Sequence, residues 1–417
     1  MKQHTIQPPL AIACRLCVGT ILAMSAAVMS GAEERVESAA MRIVLRADRP
    51  TKVVCLGDSV TGVYYHTGGQ RAYPEMLEIA LAKVVPNSPV KVVNAGISGN
   101  TTADGLARLD ADVLSHHPDV VTISFGLNDM VRVPEDQFRQ NLDTLVTRCR
   151  AAESQVVFCT PNAVITTSGR PVEKLRVYCE IIRQAGRDRH VLVCDQFAVG
   201  EIARKNDPWD WRLTLSDEIH PNMDGHKRMA EELCRTITGQ SVSLVDVPPP
   251  RHPLAKVEAQ LKAGQPVKVL AMPPFDTLVG PALKKLYPKA AIEMTPWPIA
   301  GKTLPELEVA ANQTVRAMQP NLVILAIPRS AISDSDEQFV GSYSWVMNWS
   351  LSFGVAEWGC IVVHPSVVTP AEASVHDELV RRLVKAQDLH LLDRAQGDGS
   401  SSEVLFARWL EMHTSGR

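Results

Sequence analysis

The chain has 417 residues, room for two or three ordinary domains, and is 45% hydrophobic and 21% charged, the balance of a soluble globular protein. Its formal net charge is only −3 and no Lys/Arg run appears. Binding to nucleic acid or to an anionic membrane by bulk electrostatics is therefore excluded.

From the N-terminus, residues 1–32 read as a targeting segment. Lys2 and Arg15 are positive, no acidic residue precedes Glu33, Leu16 to Val28 is apolar, and Ser30-Gly31-Ala32 offers the small residues a signal peptidase needs. The expectation is a cleaved signal peptide and an exported protein, periplasmic or secreted. The alternative is an uncleaved N-terminal membrane anchor, against which the shortness of the apolar stretch counts. No later stretch suits a membrane span, so no stable membrane insertion is expected after cleavage.

Lys52–Leu56 then predicts a strand, Tyr73–Val85 a helix, Val90–Asn94 a strand and Ala103–Ser115 a helix. Asp119–Phe125 is nearly continuous in apolar and β-branched residues, as a strand buried on both faces should be. A helix starts with Pro134 in its first turn and runs to about Ala152. Gln155–Thr160 predicts a strand, Pro171–Gly186 a helix, His190–Cys194 a strand and Pro221–Thr238 a closing helix. This alternation implies a parallel sheet with helices on both faces, over residues 50–240. Residues 241–253, with Pro248-Pro249-Pro250 and Pro253, read as a stiff linker.

After the linker the pattern restarts. Lys268-Val269-Leu270 echoes Lys52-Val53-Val54, and Leu389–Asp393 echoes Val191–Asp195. Ala300-Gly301-Lys302-Thr303 echoes Ser98-Gly99-Asn100-Thr101, and Gln319-Pro320-Asn321 echoes His117-Pro118-Asp119, at one common offset. Residues 254–417 are therefore expected to be a second, similar α/β domain. The alternative is that any two α/β domains share such rhythms. Beyond Cys14 and Cys17 in the targeting segment, seven cysteines remain, with no CxxC pair or metal-finger spacing. Most sit in apolar runs, so small buried hydrophobes are expected. Their odd number leaves at least one unpaired within a single chain.

Four short signals carry chemistry. Gly57-Asp58-Ser59 follows directly on the first strand, where a parallel sheet places its ligands, although the same residues suit an ordinary turn. In Asp217-Glu218-Ile219-His220 a carboxylate can fold back onto an imidazole three residues on, fix its tautomer and leave the other nitrogen free to take a proton. Gly126-Leu127-Asn128-Asp129 ends the third strand; the Asn128 amide can donate to a developing oxyanion, or simply cap a turn. Gly99 can bring a backbone N–H close to a substrate, or be a plain turn glycine.

In their order and their settings these four blocks make residues 52–238 resemble the SGNH hydrolases, also called GDSL-type esterases and lipases. The resemblance implies a flavodoxin-like three-layer α/β/α sandwich on a five-stranded parallel sheet. It implies Ser59 as nucleophile, His220 as general base and acid, and Asp217 as its orienting carboxylate. The N–H groups of Ser59 and Gly99, with the Asn128 side chain, become the oxyanion hole. No metal or organic cofactor is implied. The substrate class is an acyl ester, with acetyl groups on polysaccharide first and longer lipid or lysophospholipid esters second. A protein that binds carbohydrate or protein through an idle hydrolase domain is the reading from another class.

The second half matches none of this apart from Gly301: Pro273-Pro274-Phe275 stands where Gly57-Asp58-Ser59 stands, and Ser330 where Asn128 stands. A non-catalytic domain is expected there. Trp297, Trp345, Trp349 and Trp358 are either core residues or a sugar platform. Tyr64-Tyr65-His66-Thr67-Gly68-Gly69 either lines the substrate site or is an ordinary loop. Composition gives no oligomeric state.

Overall fold

The computed structural model of the protein describes residues 43–249, 254–355, 357–370 and 374–414. The expected signal peptide and residues 250–253 of the linker lie outside them. Among the described residues no helix is long and apolar enough to cross a membrane. The described residues from Leu45 onward form one compact unit.

The run Val53-Val54-Cys55-Leu56 has nothing polar to show either face, and it lies fully buried in β1 (Thr51–Gly57). β1 pairs in parallel with β2 (Val90–Gly96) on one side and β3 (Val120–Ser124) on the other. β4 (Gln155–Cys159) and β5 (Leu192–Cys194) complete the order β2-β1-β3-β4-β5. With right-handed crossovers, the reversal after β2 puts helices on both faces. Tyr73–Val84 packs with Met223–Thr238, and Glu135–Ala151 with Val172–Arg189. This is the flavodoxin-like three-layer sandwich. The chain reverses direction across the sheet between β1 and β3, so the crevice outside their carboxyl ends is the natural ligand site.

The second half repeats the design. β6 (Pro266–Ala271), β7 (Ala291–Pro296), β8 (Leu322–Leu325), β9 (Gly359–Val363) and β10 (Leu391–Leu392) run β7-β6-β8-β9-β10, all parallel. The likeness extends to details. Asp119 Oδ2 accepts from Lys52 N at 2.9 Å, and Asn321 Oδ1 accepts from Lys268 N at 2.8 Å. His117 and Gln319 share a left-handed φ of 49° and 48°, and His190 and Asp388 one of 50° and 54°. Arg183 pairs with Asp195 and Arg381 with Asp393, each at 2.7 Å.

The two halves meet at charged pairs. Asp388 takes Arg71 at 2.7 Å and Lys227 at 2.8 Å, all three well buried. Arg212 pairs with Glu337 at 2.6 Å. All seven cysteines of the described residues are buried and unpaired, as their apolar surroundings require.

Several boundaries differ from expectation. The segment Ala103–Ser115 is broken into Thr102–Ala107, Leu109–Asp112 and a 3₁₀ turn, because Arg108 leaves helical geometry and ties Gly57 O at 3.0 Å and Asn100 at 2.7 Å. Pro134 caps its helix from outside; Glu135 is the first helical residue. Pro221 does not start the last helix. It bridges to Leu215, and Asn222 caps the helix by accepting from Gly225 N at 3.2 Å. Helices Gln196–Asn206 and Pro208–Arg212 were not foreseen. In the first only Gln196 and Phe197 are buried, too short an apolar stripe to declare itself.

Candidate active site

At the end of β1 the backbone turns sharply. Asp58 O accepts from Thr61 N and Gly62 N, each at 3.1 Å. A Cβ on Gly57 would lie 2.0 Å from Thr61 Oγ1 and 2.8 Å from Ser124 O, so only glycine admits this close turn. The turn presents Ser59 at the crevice, half-buried.

The loop Ser216–Pro221 faces it. Asp217 Oδ1 accepts from Ile219 N at 2.9 Å and His220 N at 2.7 Å, which folds the loop back on itself. Its Oδ2 then holds His220 Nδ1 at 2.8 Å. Across the crevice, Ser59 Oγ lies 2.9 Å from His220 Nε2. Hydroxyl, imidazole and carboxylate thus lie on one hydrogen-bonded line. Burial would raise the Asp217 carboxyl, but the His220 ring and the hydrogen bonds from His220 and Ile219 outweigh it and hold it well below the usual carboxylate value. The group facing the imidazole is therefore an anion, which suits an imidazolium formed during reaction.

Gly99 and Asn128 lie near the same strand ends. Gly99 has φ +76°, and a Cβ there would touch nothing within 4 Å, so the backbone conformation rather than space calls for glycine. Asn128 donates to Asn100 O at 3.0 Å and weakly to Asp58 Oδ2 at 3.4 Å, while its oxygen accepts from Arg170 at 3.2 Å. Asp129, fully buried, accepts from the N–H and the hydroxyl of Thr102 at 2.8 and 2.6 Å, tying the Gly99 turn to the end of β3. The Asp58 carboxyl is pushed up to about 6 by burial, against a hydrogen bond from Val60 N.

Three side chains here have no motif behind them. Tyr65 Oη donates to Asp217 Oδ2 at 2.9 Å. His66, fully buried, stacks on the His220 ring with centroids 4.5 Å apart. Arg170 reaches Asn128 from the loop after β4. Within the run Tyr64–Gly69, Tyr65 and His66 reach the Asp217–His220 pair, and no spacing rule says which of its rings turns inward. Of the four tryptophans, Trp297 and Trp358 are buried core residues, and Trp345 and Trp349 are half-buried in a stacked pair. No group of three or more His, Cys, Asp or Glu among the described residues could hold a metal ion.

The histidine stack has a consequence for stability. Burial and the nearby His220 push His226, which stacks under His66, down to about 3. An unfolded chain's histidine takes a proton below about 6.5. From there down to about 3 the unfolded state holds one more proton at this position, so stability falls with pH by about 1.4 kcal/mol per unit for this group. Urea unfolding between pH 6 and 4 should show His226→Gln losing stability less steeply than the parent by about that slope. Parallel slopes would contradict the assignment.

The GDSL-like lipase/acylhydrolase family matches residues 55–228. An acetylxylan esterase of Geobacillus stearothermophilus is 29% identical over 210 residues, 45% of this chain and 93% of its own. Esterase TesA of Pseudomonas aeruginosa is 30% identical over 149 residues, 35% of this chain and 69% of its own. A crystal structure of an acetylxylan esterase from Geobacillus stearothermophilus is 25% identical, with a TM-score of 0.40, covering 49% of this chain and 100% of that one.

Proposed function

The chain belongs to the GDSL-like lipase/acylhydrolase family and is a carboxylic-ester hydrolase; from that premise we propose that Ser59 is its nucleophile, that it is exported, and that it removes small acyl groups, acetyl on carbohydrate first. The observation that carries the residue assignment is the continuous line Ser59 Oγ–His220–Asp217, at 2.9 and 2.8 Å. His220 Nε2 takes the Ser59 proton as Oγ attacks the ester carbonyl. The same proton passes to the departing alcohol oxygen, leaving an acyl-serine. Water, deprotonated by His220, attacks in turn, and the acid leaves as Ser59 recovers its proton.

The tetrahedral oxyanion falls to the N–H groups of Ser59 and Gly99 and to Asn128. Asn128 gives up its weak 3.4 Å contact with Asp58 to do so. Asn128→Ala should lower kcat by about 10²- to 10³-fold with KM little changed. A variant turning over at the parent rate would remove Asn128 from the scheme.

The acetyl preference draws on the acetylxylan esterase likeness, and export on the N-terminal sequence. A panel of nitrophenyl esters from acetyl to palmitoyl, beside acetylated xylan and with Ser59→Ala as control, tests the substrate. Preference for acetyl and deacetylation of xylan are expected. A maximum at long chains would shift the reading to a lipase or lysophospholipase, and no turnover of any ester would favour an idle site.

A further inference from the structure

The second half carries none of the reacting groups, yet it grips the loop that carries two of them. We propose that it serves as a built-in brace for the acid–base loop, with Asn348 and Tyr65 as positioning residues; this rests on the serine-esterase reading above.

Ser216 immediately precedes Asp217, and its N–H donates to His220 O at 2.8 Å, closing the loop. From the second half, Asn348 reads Ser216 twice. Its Nδ2 donates to Ser216 O at 3.0 Å, and its Oδ1 accepts from Ser216 Oγ at 2.9 Å. Gln387, also from the second half, donates to both Ser216 Oγ and Asn348 Oδ1, at 2.9 and 3.0 Å. Ser216, Asn348 and Gln387 are all at least 98% buried. With no bulk water there to replace a lost bond, the network holds Ser216 in one place.

Tyr65 supplies the second grip. Its hydroxyl reaches the Asp217 oxygen that holds His220, and burial together with the Asp217 charge keeps it protonated and donating. The ring is held from the second half. Trp345 lies 5.9 Å from it and Phe353 6.3 Å, and the Arg316 guanidinium sits over its face at 5.3 Å. Helix Asp336–Ser350 carries Trp345 and Asn348 one turn apart, so a single element braces the loop at both points. Proton relays fail when their parts drift by about 1 Å, which gives such a brace its value.

The test is kcat and KM, measured separately on the full chain with 4-nitrophenyl acetate. Tyr65→Phe keeps the ring and removes one hydroxyl; Asn348→Leu removes the bonds to Ser216. Each should lower kcat about 10- to 100-fold, with KM within about twofold. Arg382→Gln breaks a half-buried pair to Asp210 at the same contact between the halves, remote from Ser216 and Tyr65, and should leave kcat within about twofold. Parent-level kcat in both positioning variants overturns the proposal. An equal loss in Arg382→Gln also overturns it, since that marks general loosening. Should Asn348→Leu not fold, Trp345→Leu, which takes the second half's ring from beside Tyr65, stands in for it with the same expected loss. If Ser59→Ala keeps the parent rate, the esterase reading has failed; if it does not and the positioning variants match the parent, only this inference has.

Discussion

Ser59→Ala should lower kcat on nitrophenyl acetate by about 10⁴- to 10⁶-fold while the protein stays folded. The size follows from what is removed. Ser59 Oγ is the atom 2.9 Å from the ring nitrogen of His220, and no acyl-enzyme can form without it. The oxyanion donors and the binding surface remain, so a small residual rate over water is expected. The fold should not suffer, because Ser59 is half-buried and its turn is built from Gly57 and the Asp58 carbonyl rather than from its hydroxyl. Kinetics and a thermal melt on one preparation check both halves of the statement. A variant within tenfold of the parent would exclude Ser59 as nucleophile.

Asp217→Asn should cost about 10⁴-fold in kcat, and the geometry says why an uncharged near-copy is so poor. Oδ1 of Asp217 receives two backbone N–H groups, from Ile219 and His220. An asparagine must keep its carbonyl oxygen there, which turns its NH₂ toward His220 Nδ1 and the Tyr65 hydroxyl. Nδ1 then has to accept, so the ring proton moves to Nε2, and the nitrogen facing Ser59 becomes a donor where an acceptor is needed. KM should change little, since Asp217 sits behind the ring and is buried. Near-parent turnover in Asp217→Asn would mean that the carboxylate neither orients nor charges the imidazole. The charge itself adds no pH limb near neutrality: its depressed pKa keeps Asp217 ionised throughout that range, and the stability it adds is lost only as pH falls below the ordinary carboxylate value and through the depressed one.

Most of this site was readable in the sequence because each part is local. A glycine-tight turn after a buried strand, and a carboxylate three residues before an imidazole, are short-range geometries that spacing alone constrains. The five strands of the first sheet were legible for the same reason: Val53–Leu56 and Val120–Ile123 leave no polar face. The repeat was legible through pairs such as Asp119 and Asn321, which take the same hydrogen bond in both halves. What escaped depends on tertiary contact. Tyr65 differs from Tyr64 only in which ring meets Asp217, and His66 only in being driven under His220. Asn348 lies 132 residues from its partner Ser216, and nothing in either local sequence announces the pairing. Helix Gln196–Asn206 was missed because it buries so little of itself. The start at Pro221 was misplaced because proline suits a helix's first turn, whereas here it bridges to Leu215 and leaves the cap to Asn222.

Covalent labelling with a fluorophosphonate ester, followed by peptide mass spectrometry, tests the role of Ser59 most directly. One adduct per chain, on the peptide holding Ser59 and absent from Ser59→Ala, is the expected result. An unlabelled parent, or an adduct on a different residue that persists in Ser59→Ala, would contradict it.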